Sequence, residues 1–143
     1  MTEDVTAEEI MNAPVRTIPE DATILEAARE LREHHVGSLV VGEEQLEGIV
    51  TESDIVTAVS REVSTDESVG TVMSSPVVTV RPSETVAKVA ERMGNNHVKK
   101  LPVTDGGQPV GIITTTDLAQ LLPDRRVTMT RHPKTDLSKG EFE

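Results

Sequence analysis

Residues 48–54 read Gly-Ile-Val-Thr-Glu-Ser-Asp, and residues 111–117 read Gly-Ile-Ile-Thr-Thr-Thr-Asp. Upstream of each copy the match continues: Met-Asn-Ala-Pro-Val-Arg-Thr-Ile at 11–18 answers Met-Ser-Ser-Pro-Val-Val-Thr-Val at 73–80. Between these ends Thr23, Ala28, His35, Leu39 and Val41 fall on Thr85, Ala90, His97, Leu101 and Val103 at an offset of 62, which becomes 63 in the following turn. A unit of about fifty residues is therefore present twice, at 11–60 and 73–122, and a fold built from one unit facing its own copy is expected.

The periodicity within each unit predicts its elements. Val15–Ile18 and Val77–Val80 are β-branched runs stopped by Pro19 and Pro82, so each unit should open with a strand. Ile24, Ala27, Ala28 and Leu31, matched by Val86, Val89, Ala90 and Met93, recur at helical spacing behind the capping residues Thr23 and Thr85. Thr23 with Glu26 forms a capping box; Thr85 with Lys88 cannot, so the second of these helices should begin less firmly. Ser38–Val41 and Leu101–Val103 read as buried strands that turn through 42–44 and 105–107 into Leu46–Val50 and Pro109–Ile113, and helices over Ser53–Ser60 and Thr116–Leu122 close the units. The expected class is α/β (α+β), with β-α-β-β-α present twice. Residues 1–10 read as a short helical or loose lead-in and 61–72 as a polar connector. Residues 123–143, where apolar periodicity is lost, read as a flexible tail.

Composition narrows the function. The chain of 143 residues carries a formal charge of −11, and its five tail cations against four tail acids leave residues 1–122 at nine basic against twenty-one acidic side chains. Such a surface repels phosphate backbones and anionic membranes, so neither nucleic acid nor membrane is an expected partner. Aromatic residues make up 1%, with Phe142 the sole ring, which leaves no platform for stacking bases. The acidity, with only five lysines, fits a salt-adapted, halophilic protein. Without cysteine there is neither a disulfide framework nor a thiolate nucleophile. Met1-Thr-Glu-Asp4 does not resemble a secretory leader and no segment approaches a membrane span, so a cytoplasmic location is expected.

The two units, each with a Leu-Val-Val or Leu-Pro-Val strand and a Gly-hydrophobic-hydrophobic-Thr-x-x-Asp ending, closely resemble cystathionine-β-synthase (CBS) repeats, in particular stand-alone archaeal and haloarchaeal members of that family. The resemblance covers 11–122. It implies that the repeats pack with pseudo-two-fold symmetry into one CBS module, that two modules form a disc-like homodimer, and that AMP, ADP, ATP or S-adenosylmethionine occupies clefts between repeats to regulate an effector protein. No cofactor and no catalysis are implied.

Thr51 with Asp54, and Thr114 with Asp117, can each be read as a variant capping box. The same carboxylates could also accept the hydroxyls of a ribose, with the threonines beside a phosphate or sugar oxygen, and the resemblance favours that role. Lys99 and Lys100 sit either at a solvated helix end or against ligand phosphates, the role basic residues there often have in the family. The first repeat has Gly37 and Ser38 at those places, so the two clefts should differ. Val36, Gly37 and Val98, with Arg16 and Val78, would line an adenine cleft, although core packing accounts slightly better for each valine taken alone and Arg16 could instead supply the charge the first repeat lacks. His34, His35 and His97 fit helix ends better than a metal site, since no Cys or His-x-x-x-His partner accompanies them. No catalytic triad, paired catalytic carboxylates or P-loop is visible, which leaves a ligand sensor or, with degenerate clefts, a dimerisation adaptor ahead of an enzyme.

Overall fold

The computed structural model describes residues 5–75 and 77–121; the predicted tail at 123–143 and the end of the last helix at Leu122 lie outside them. The elements run α1 (Ala7–Ile10), β1 (Thr17–Ile18), α2 (Ile24–His34), β2 (Ser38–Val41), β3 (Gly48–Thr51), α3 (Glu52–Ser60), a 3-10 turn (Val69–Thr71), α4 (Val86–Asn96), β4 (Lys100–Asp105), β5 (Gln108–Thr114) and α5 (Thr115–Ala119). In the first repeat β1 pairs parallel with β2, and β2 pairs antiparallel with β3. In the second, β4 pairs antiparallel with β5 through a two-residue Gly106–Gly107 loop, whose positive φ angles of 62° and 90° suit glycine.

The second repeat does not open with a strand as its sequence predicts. Val77–Val80 contributes a single parallel bridge, Val80 to Val103. The cause is one residue. In the first repeat the Val40 N–H donates to the Arg16 carbonyl at 3.0 Å, while the matching position in the second repeat is Pro102, which has no N–H to offer Val78. The remaining bonds, Val80 N–H to Pro102 O at 3.1 Å and Thr104 N–H to Val80 O at 2.9 Å, hold the segment in place without making it a strand.

Helices α2 and α4 follow the predicted caps. The Thr23 hydroxyl accepts from the Glu26 N–H at 3.0 Å and the Thr23 N–H donates to Glu26 Oε1 at 2.9 Å. Thr85 accepts from Lys88 at 3.3 Å with no reciprocal contact. Both helices end on a histidine in the left-handed region, His35 at φ 54° and His97 at φ 55°, so these two side chains belong to residues that stop a helix.

Two cores result, and they correspond residue for residue. Ile18, Ala27, Leu31, Leu39, Val41, Val50 and Val69 form one; Val80, Val89, Met93, Leu101, Val103, Ile113 and Ala7 form the other. The last member of each comes from outside its repeat. The lead-in seals the second repeat, with Ala7 N–H donating to Glu84 O at 2.8 Å and Val86 N–H to Val5 O at 2.8 Å; the connector seals the first, with Val69 N–H donating to Ala22 O at 2.8 Å and Ile24 N–H to Glu67 O at 2.9 Å. The sequence reading assigned these segments no motif, yet Thr6-x-x-Glu9 is a capping signature, and the Thr6 N–H does donate to Glu9 Oε1 at 2.9 Å. Each leader runs into a methionine, Met11 or Met73, packed on Gly111 or Gly48, where any side chain would collide with the sulfur.

Candidate functional site

Helices α3 and α5 both start directly from the strand before them, so the residues at their first turns stand at equivalent places. The four Thr-x-x-Asp residues do close capping boxes. Thr51 N–H donates to Asp54 Oδ2 at 2.8 Å and Asp54 N–H to the Thr51 hydroxyl at 3.2 Å; the corresponding distances for Thr114 and Asp117 are 2.7 and 3.3 Å. The capping reading is thus realised, and it fixes the carboxylates without exhausting them. Both aspartates and both threonines stay half-buried, open to a molecule from outside.

The two carboxylates are not equivalent. Asp117 Oδ2 also accepts from the Thr114 hydroxyl at 3.1 Å and from the Asn12 side-chain amide at 2.9 Å. Asn12 was not among the residues singled out from sequence. The signal that could have found it is that the repeat alignment places a long amide against the short hydroxyl of Ser74.

Lys100 opens β4, and its ammonium reaches across to the first repeat. Nζ lies 4.0 Å from the point a Cβ on Gly37 would occupy, and Glu52 Oε1 lies 3.7 Å from that point. The Glu52 N–H donates to the Gly37 carbonyl at 3.1 Å, which ties Gly37 to the first turn of α3; by the same symmetry Thr115 N–H donates to Lys99 O at 3.1 Å. The structure thus sets a cation from the second repeat beside Gly37 and the helix start that carries Asp54. Glu52 is a charged group that the sequence reading passed over. No ion pair joins it to Lys100 among the described residues. Ser38, half-buried, opens β2 at the place matching Lys100.

Val36 packs half-buried against the first core, and Val78 and Val98 against the second. Each valine therefore serves packing and still presents part of its surface. Arg16 is exposed, its guanidinium 3.9 Å from Glu30 on α2, where His34 also lies at 3.5 Å. Glu30, Glu33 and His34 bring three ligand-type atoms within 4.8 Å on that exposed face.

The two concavities that stand out lie away from the paired aspartates. One, about 450 Å³, is lined by Glu20, Asp21 and Ser68; the other, about 270 Å³, by Thr79, Val80, Arg81, Glu84 and Arg92. The second is held open by a bidentate pair: Arg92 donates to Glu84 Oε1 and Oε2, each at 3.0 Å, and to the Thr79 carbonyl at 2.9 Å. The Arg92 hydrogen bonds, with the Arg81 N–H on the same carboxylate, lower the Glu84 pKa from 4.5 to about 2.

Among the described residues no helix is long and apolar enough to cross a membrane. Residues 7–61 and 69–124 each match the family profile described as CBS domain. The homoserine O-acetyltransferase of Methanosalsum zhilinae is 33% identical over 128 residues, 87% of this chain but 25% of that protein, so the chain spans a quarter of that relative's length. Among solved structures, the CBS domain pair of protein MJ0100, in complex with 5′-methylthioadenosine and S-adenosylmethionine, superposes with a TM-score of 0.76 at 28% identity, covering 85% of this chain and 98% of the other. The CBS domain protein PAE2072 from Pyrobaculum aerophilum, complexed with AMP, does so with 0.74 at 29% identity, covering 80% and 90%.

Proposed function

The chain belongs to the CBS-domain family, and from that premise we propose that it is a regulatory module that senses an adenosine ligand (AMP, ADP, ATP or S-adenosylmethionine) in clefts between its two repeats and performs no chemistry on it. The observation that carries the reading is the pairing of Asp54, half-buried with acceptor capacity to spare, with a lysine delivered from the other repeat to the same helix start. A carboxylate takes the ribose hydroxyls, and an ammonium near free helical N–H groups takes a phosphate. Binding that stabilises one conformation then reports ligand concentration to an effector protein.

The clefts differ in this reading, with the charge arranged across the repeats. Lys100 belongs with Asp54, while Ser38, its counterpart, stands opposite and leaves the cleft at Asp117 less suited to a phosphate tail. The Val78 carbonyl, which Pro102 cannot engage, adds an acceptor for the edge of an adenine beside Val98. A Cβ at Gly37 would stand in ordinary contact with Glu52 and Lys100, which places both charged groups at the mouth of the cleft at Asp54.

Thermal shifts with AMP, ATP and S-adenosylmethionine test the proposal, with Asp54→Asn and Asp117→Asn as controls that retain a cap acceptor. A shift of several degrees with one ligand, reduced by loss of about 10- to 100-fold in affinity in the variants, is the expected result. Lys100→Ala should weaken ATP more than adenosine. Equal affinity in wild type and both aspartate variants would refute the site.

A second reading, a dimerisation adaptor with vacant clefts, is favoured by α3, which turns Val56 and Val59 outward at 67% and 59% exposure. A homodimer is compatible with both readings. No shift with any of the three ligands would select the adaptor, and turnover of any would select an enzyme.

A further inference from the structure

We propose that Asn12 sets the ribose selectivity of the second cleft by occupying one of the two carboxylate oxygens of Asp117, an inference that rests on the reading of Asp117 as a ribose acceptor. Asn12 stands at the start of the first repeat but is stitched to the second. Its N–H donates to Ile112 O at 2.9 Å, Ile112 N–H donates back to Asn12 O at 3.1 Å, and its side-chain amide donates to Ile112 O at 3.3 Å and to Asp117 Oδ2 at 2.9 Å. Oδ2 already holds the Thr114 N–H at 2.7 Å and the Thr114 hydroxyl at 3.1 Å. With three donors on one oxygen, Oδ1 is the atom left for an incoming ligand.

The first repeat is the internal control. The backbone bridge is the same, Ser74 N–H to Ile49 O at 2.9 Å and Ile49 N–H to Ser74 O at 3.1 Å. The serine side chain is too short to follow Asn12 outward, and among the described residues Asp54 Oδ2 accepts only the Thr51 N–H, at 2.8 Å. Two adjacent hydroxyls of a ribose can therefore take one oxygen each at Asp54 but must share Oδ1 at Asp117. Asn12 makes the second carboxylate rigid and half-saturated, and so a poor discriminator of ribose from deoxyribose.

The test uses the full chain, with adenosine and 2′-deoxyadenosine as probes in calorimetric titrations. The Asp54→Asn background reports the second cleft, and Asp117→Asn reports the first. Adding Asn12→Ser to the former should tighten adenosine by about tenfold, the worth of one hydrogen bond to a charged group, and leave 2′-deoxyadenosine within about twofold. Adding Ser74→Asn to the latter should narrow the preference of the first cleft for adenosine. Asn12→Ser that shifts both nucleosides equally, weakens adenosine, or changes nothing overturns the inference while leaving the binding site standing. Failure of the unsubstituted protein to bind either nucleoside overturns the inference, and absence of a thermal shift with AMP, ATP and S-adenosylmethionine as well overturns the reading it rests on.

Discussion

The two repeats share their backbone hydrogen bonds almost bond for bond and differ wherever a side chain does the work. Leaders, bridges, left-handed caps and core positions repeat at the offset read from the sequence. Around the helix starts the first repeat has Gly37, Ser38 and Glu52 and is met by Ser74 from the other repeat, where the second has Lys99, Lys100 and Thr115 and is met by Asn12. The architecture is thus duplicated, while the polar side chains around the two proposed clefts differ between the halves. Even the cores compensate: the first combines Ala27 of α2 with Val69 of its leader, and the second combines Val89 of α4 with Ala7, so that summed volume is kept while the large residue changes element.

The largest expected effect tests whether the halves form one cooperative unit. Leu39→Ala and Leu101→Ala each empty a fully buried site and should cost about 2–5 kcal/mol. Because each core is sealed from the other side of the chain, either variant should still melt in one transition with coincident calorimetric and spectroscopic midpoints; two separated transitions would show that the repeats unfold independently.

The volume exchange gives a smaller effect. Ala7→Val overfills the second core and should cost about 1–3 kcal/mol, most of which Val89→Ala should restore in the double variant. A double variant no more stable than the sum of its single changes would show that these positions do not share space.

The smallest effect concerns an ion pair without a counterpart. Where the second repeat has Glu84 and Arg92, the first has Ala22 and Glu30. The Glu84 carboxyl titrates lower folded than unfolded, so its contribution is complete above about pH 4.5 and disappears as pH falls toward 2. With both partners partly exposed, it is worth about 1–2 kcal/mol, and Glu84→Gln should lower the melting temperature at neutral pH while flattening its acid dependence. An unchanged acid slope would remove the pair from the account.

The elements were legible because they follow from local rules. Capping residues at 23 and 85, helical spacing after them, and glycine-bearing turns between β-branched runs are each decided within a few residues. The exceptions arise where a residue's partner is distant in the chain. Val77–Val80 reads as a strand by itself and loses that status only because Pro102 is its neighbour. Lys99 and Lys100 are read with their own repeat until the structure carries the Lys100 ammonium to Gly37. Asn12 lies 105 residues from the carboxylate it touches. The capping role of the aspartates in the proposed site was therefore legible, because it is decided close to home, whereas the groups that meet them from across the fold were not.

The exchange of leaders bears on how such a chain could arise. A single fifty-residue ancestor carrying its own leader would have had its hydrophobic interior open, because that leader packs on a neighbour; only two copies trading arms would be closed. Fusion of two such genes would turn an obligatory encounter into a tethered one, and from then on each half would be free to lose the charges that the other kept.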